Sequence, residues 1–131
     1  MFRQEQIASF SEISLRISGM RSTEIYEIIG HGDEAEISHY LVIYRSGKDD
    51  RELQKRVTVP AADMIGVLNR CGVTKWDGFS GKNPPGVLDG TMFGFKATVN
   101  DDRKICASGS NNYPRHYRDL TDALHRMLYG Q

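Results

Sequence analysis

Three strand-like stretches follow one another with only short connections between them, and this limits the fold more than any other feature. Glu12 to Ser18 sets Ile13, Leu15 and Ile17 on one side and Ser14 and Arg16 on the other. Thr23 to Ile29 is rich in β-branched and aromatic residues. Glu36 to Arg45 carries Tyr40, Val42 and Tyr44 on one face and Ile37, Leu41 and Ile43 on the other, which suggests an inner strand with both faces partly covered. A period of two predicts strands. Gly19-Met20-Arg21-Ser22 and Gly30-His31-Gly32-Asp33-Glu34 supply turns. Connections this short have no room for a parallel crossover, so the strands must pair antiparallel. A fourth strand is expected over Leu53 to Val59, where Lys55 and Arg56 suit a sheet edge or an open face.

Pro60 then opens a helix with a stripe of Ala61, Met64, Ile65, Leu68 and Cys71, and Gly72 is placed to stop it. Thr91 to Val99 alternates again, with Phe93, Phe95, Ala97 and Val99 on one face. Asn100-Asp101-Asp102 is turn chemistry, and Lys104 to Ser108 returns as its hairpin partner. A second helix is predicted from Pro114 to Tyr129, with Tyr117, Leu120, Leu124, Met127 and Leu128 on its apolar side. The order β-β-β-β-α-β-β-α implies an α+β fold over 1–131 as one domain. It is an antiparallel sheet of five to six strands packed on one face by two helices, a two-layer sandwich. The first ten residues fit either a short leading helix or a frayed end.

The stretch from Lys75 to Tyr117 gathers the only tryptophan, three of the four prolines and most of the asparagines. Glycines and prolines from Gly78 to Gly90 predict an ordered loop, pinned by Trp76, Phe79, Val87 and Leu88. The simplest account is that these residues only shape a loop and a tight strand-to-helix junction. The sharper account is a recognition surface. A helix N-terminus offers unpaired N–H groups, Asn111 and Asn112 lie just before the predicted helix, and Arg115 and Arg118 follow on roughly one side. The binding candidates are therefore Trp76, Phe79, Lys82, Asn111, Asn112, Tyr113, Arg115 and Arg118. Trp76-Asp77-Gly78-Phe79, Val87-Leu88-Asp89-Gly90, Phe93 and the SGSN-YP junction resemble a pattern in small bacterial proteins of no assigned activity. The resemblance spans roughly the last 60 residues, and it implies a shared fold without lending a catalytic residue, cofactor or substrate.

Other chemistries find little support. Lys plus Arg number 17 and Asp plus Glu 17, so the basic excess of a nucleic-acid binder is missing. No run reaches the length of a membrane span, and the start lacks the apolar core of a signal peptide, so a cytoplasmic protein is expected. Cys71 and Cys106 read as two small buried hydrophobes in a reducing compartment, and neither belongs to a CxxC pair, so no structural zinc is indicated. His116 and His125 lack the i, i+4 spacing of a metal pair. His31 sits in a turn beside Asp33 and Glu34, and His39 lies mid-strand. Ser80-Gly81-Lys82 lacks the upstream glycine of a phosphate loop, and no serine has a nucleophile elbow. No catalytic residue, metal or cofactor is predicted, although a triad assembled from distant positions would leave no trace in sequence.

Two functions follow from this reading. One is a non-catalytic interaction module, accessory or inhibitor-like, whose partner is another protein or a second copy of the chain, without nucleic acid or membrane. It predicts an exposed cluster of Trp76, Phe79 and Tyr113. The other is a small-molecule or anion binder, with room for an enzyme, built on the Asn111/Asn112 junction with Arg115, Arg118 and Lys82.

Overall fold

Leu15 lies opposite Tyr26 on one neighbouring strand and opposite Phe95 on the other, so its side chain sits at the middle of the sheet. The computed structural model describes residues 6–19, 22–45, 47–81 and 91–130. Within them run β1 (Phe10–Ser18), β2 (Thr23–His31), β3 (Glu34–Arg45), β4 (Lys48–Pro60), α1 (Ala61–Cys71), a 3-10 turn (Val73–Trp76), β5 (Ser80–Gly81), β6 (Met92–Val99), β7 (Arg103–Ser110) and α2 (Tyr117–Tyr129). The fold is α+β. The strands form one sheet in the order β4-β3-β2-β1-β6-β7-β5, antiparallel except where β5 runs parallel to β7. β4 lies at an edge, as its charged residues imply.

The sheet has seven strands, not five to six. The extra one is β5, whose two residues are too few to carry a period and lie in a glycine-rich stretch that reads as loop. It is laid on the edge by backbone bonds: the Ser108 amide donates to the Phe79 carbonyl at 3.0 Å and the Gly78 amide to the Cys106 carbonyl at 2.9 Å. Asp77 adds a side-chain staple, accepting from the Cys106 amide at 2.9 Å and from Arg103 at 3.0 Å. These contacts, the amide first, hold the Asp77 carboxyl below the usual carboxylate range.

Because directly opposed residues share a face, Ile13, Leu15, Ile28, Ile37, Phe95 and Ile105 line one side, and all are buried. Met64 and Leu68 of α1 and Leu120 and Leu124 of α2 join them in a single core cluster. Alternate residues of the same strands, including Arg16, Lys96 and Cys106, are exposed. Cys106 is thus a surface thiol and not the buried small residue expected, because the β7 alternation turns Ile105 inward and Cys106 out; Cys71 is buried as expected. α1 ends at Gly72 in the left-handed region (φ 64), the stop its glycine predicts. No helix among the described residues is long and apolar enough to cross a membrane.

At the far end of β7 the chain doubles back so tightly that a Cβ on Gly109 would overlap the Asn112 carbonyl oxygen and crowd the Phe93 ring. Gly109→Ala is therefore expected to cost about 1–3 kcal/mol, the usual range for overpacking against groups that cannot move aside. A urea-unfolding midpoint equal to that of the parent protein would contradict this close approach.

Candidate functional site

Helix α2 begins at Tyr117 and not at Pro114, and the difference decides where a site can be. His116 is held at φ 69, a left-handed conformation that no helix can run through. The three preceding residues form a ridge fastened from both sides. Trp76, 2% exposed, donates its indole N–H to the Arg115 carbonyl at 3.0 Å. The Tyr113 hydroxyl donates to the Thr91 carbonyl at 3.2 Å. The Trp76 ring meets Phe95 edge-on at 5.1 Å, and Tyr113 and Tyr117 stack at 4.6 Å, with Phe93 4.9 Å from Tyr117.

The residues singled out in the sequence are dispersed by this geometry. Trp76 is a core residue, so the exposed cluster of Trp76, Phe79 and Tyr113 does not form; Phe79 and Tyr113 are half-buried. Asn111 is engaged at the sheet end, its amide donating to the Thr91 carbonyl at 2.9 Å and its Oδ1 accepting from the Thr91 amide at 3.1 Å. Asn112 is exposed on the same bend, and the ridge separates both asparagines from the helix start. Arg115 and Arg118 do not face one way but line different hollows on the two sides of the ridge. Lys82 lies outside the described residues, as does the VLDG segment.

The larger hollow is a cleft of about 700 Å³ between the β1–β2 end of the sheet and the first turns of α2. Ile17, Tyr26, Tyr113 and Tyr117 give it apolar and aromatic walls, while Glu24, Asp119 and Asp122 contribute carboxylates and Arg118 one guanidinium. Behind Glu24 sits His39, 7% exposed, with both ring nitrogens bonded. Its Nε2–H donates to Glu24 Oε1 at 2.7 Å, because a carboxylate can only accept. In the neutral ring that leaves Nδ1 to accept the Tyr129 hydroxyl at 2.6 Å. Tyr26 stacks flat on the imidazole, centroids 4.6 Å apart.

Sequence reading missed this Glu24–His39–Tyr129 chain. The signal was the alternation of β3, which puts His39 on the face of Ile37; a histidine there must find partners. Burial, and then the nearby Glu24 charge, push the Tyr26 phenol up to about 12. Burial, then Tyr113, Tyr26 and Glu24, raise Tyr117 in the same direction. Tyr129 is raised by burial and by Glu24. These phenols therefore keep their protons at neutral pH, and the chain from Glu24 to Tyr129 fixes the orientation of the imidazole.

The smaller hollow, about 360 Å³, lies on the other side of the ridge against the end of α1. Arg70, Lys75 and Arg115 line it with Trp76, Phe79 and Tyr113, and no carboxylate does. All three cations are exposed and none has an acidic partner among the described residues. Cys71 lines the same hollow with its thiol pushed up to about 11, chiefly by burial, which makes it a poor nucleophile. No family model, curated protein or solved structure matches the chain.

Proposed function

We propose that this chain is a non-catalytic interaction module, accessory or inhibitor-like, that engages another protein across the Tyr113–Arg118 segment. The reading takes the body as a two-layer sandwich with both helices on one sheet face, which holds the ridge rigid. The single observation behind it is the pairing of two hollows of opposite charge on one aromatic ridge, the acidic one about 700 Å³ and the basic one about 360 Å³. Charges of both signs on one patch give a partner both register and orientation, and tyrosine and arginine are the residues that most often anchor such contacts. A second copy of the chain is an alternative partner, since such a patch can complement itself about a two-fold axis. The free thiols of Cys71 and Cys106 suit a reducing compartment such as the cytoplasm.

The test is capture from native lysate with the immobilised protein and an Arg70→Glu/Arg115→Glu variant. Both residues are exposed, so the variant should match the parent in melting temperature and lose the captured protein. Equal recovery by the two proteins would overturn the role of this surface.

The basic hollow supports a second reading, a small-anion site, because Arg70, Lys75 and Arg115 converge with no carboxylate among the lining residues. It moves the anion site away from Asn111 and Asn112. Inorganic phosphate should then raise the melting temperature, and Arg115→Ala should remove the rise.

A further inference from the structure

The polar groups at the floor of the larger cleft have no use within the chain. Glu24 spends one carboxylate oxygen, Oε1, on His39, and among the described residues Oε2 has no partner. Tyr26 is 6% exposed, yet its hydroxyl has no hydrogen-bond partner among the described residues, and the same holds for Tyr117. No buried side-chain oxygen among those residues is left unsatisfied, so both hydroxyls keep access to solvent, and the surface both tyrosines share is this cleft. Three acceptor oxygens therefore open into one aromatic-walled hollow. The ionisable groups that line it are the carboxylates of Glu24, Asp119 and Asp122, the one guanidinium of Arg118, and the imidazoles of His116 and His125. Asp119 is bonded to His116 at 2.8 Å, while Asp122 is exposed at the rim.

From this unpaired acceptor set we infer that the cleft binds a guanidinium group, with its face against the tyrosine rings and its N–H groups on Glu24 Oε2 and the phenol oxygens. The inference rests on reading the ridge as a recognition surface and names what its acidic side takes. A guanidinium is planar, weakly hydrated and rich in donors, so it loses little on leaving water and satisfies several acceptors at once. An anion would meet three carboxylates. The chain itself already places a guanidinium in this way, with Arg51 stacked 4.4 Å from the Tyr40 ring centre.

The experiment is titration of the full-length isotope-labelled chain, followed by amide and side-chain resonances, with arginine amide, the tripeptide acetyl-Gly-Arg-Gly-amide and N-acetylglycine as an anionic control. Arginine amide should shift resonances of Glu24, Tyr26 and Tyr117, and Glu24→Gln should weaken it about tenfold or more. Glutamine can still accept from His39, so that variant should fold; Asp122→Asn, on the exposed rim, should weaken binding less and guards against a folding failure. Equal binding of the tripeptide assigns the group to a partner's arginine side chain, whereas binding of arginine amide alone assigns a free small molecule. Shifts in the cleft from N-acetylglycine and none from arginine amide would overturn the inference while leaving a recognition site there. Silence from all three probes overturns the inference as well. If the Arg70→Glu/Arg115→Glu variant also captures as the parent does, the recognition reading falls with it.

Discussion

Replacing Trp76 by alanine is expected to lower the free energy of unfolding by about 3–5 kcal/mol, the range for deleting a large buried aromatic. The indole is 2% exposed, so its loss leaves a void that the surrounding β-sheet and helix ends cannot fill. It removes the edge contact with Phe95 at 5.1 Å and the contact with Tyr117 at 6.3 Å. It also removes the indole N–H from the Arg115 carbonyl. Trp76→Phe separates these effects, since it keeps much of the packing and strands only the carbonyl, for about 1–3 kcal/mol. Urea unfolding followed by far-ultraviolet circular dichroism reads both variants without a tryptophan signal. The alanine variant should in addition bind arginine amide more weakly under folding conditions, because Tyr117 loses the ring that backs it. A stability loss below that of Trp76→Phe would mean that the tryptophan is not the post on which the ridge stands.

That role also explains what could and could not be read from the chain. Alternation was enough to place β1 and β6, because each has one face against the core and a slip of one residue would expose it, while β-branched and aromatic content marked β2 and β3. Gly72 stops α1 as its left-handed preference requires. The error over Trp76 has a physical origin: tryptophan in a glycine- and proline-rich stretch reads equally as an anchor for a partner and as an anchor for its own loop. Only the position of Phe95 and of the Arg115 carbonyl decides between them. Pro114 suggested a helix start because proline is well suited to a first turn, yet Arg115 is drawn to Trp76 and His116 takes positive φ, so the helix can begin only at Tyr117. Glu24, His39 and Tyr129 come from β2, β3 and the last residue of α2, and no spacing rule links such positions. A cleft built by a sheet end and a helix start is likewise a product of packing. The sequence contains its residues but not their convergence.

The same convergence makes the protein sensitive to alkali. Tyr26 in the folded chain holds its proton to about pH 12, against 10 for an ordinary phenol. Below pH 10 the folded and unfolded chains both keep that proton, and the group contributes no pH dependence. Between pH 10 and 12 the unfolded chain releases it while the folded chain does not, so stability falls as pH rises through this window and levels off above it. At about 1.4 kcal/mol per unit the loss from Tyr26 alone approaches roughly 3 kcal/mol. Tyr117 is shifted in the same direction and steepens the fall. Tyr26→Phe should leave stability at neutral pH nearly unchanged, because the hydroxyl it removes bonds to nothing in the described chain. The variant should then lose stability more gradually above pH 10, and the phenolate absorbance of the native protein should lack its late step. A parent and variant that unfold in parallel across that range would show that the Tyr26 hydroxyl is freely hydrated. The acceptor set at the floor of the cleft would then lose the buried member that makes it selective for a donor-rich cation.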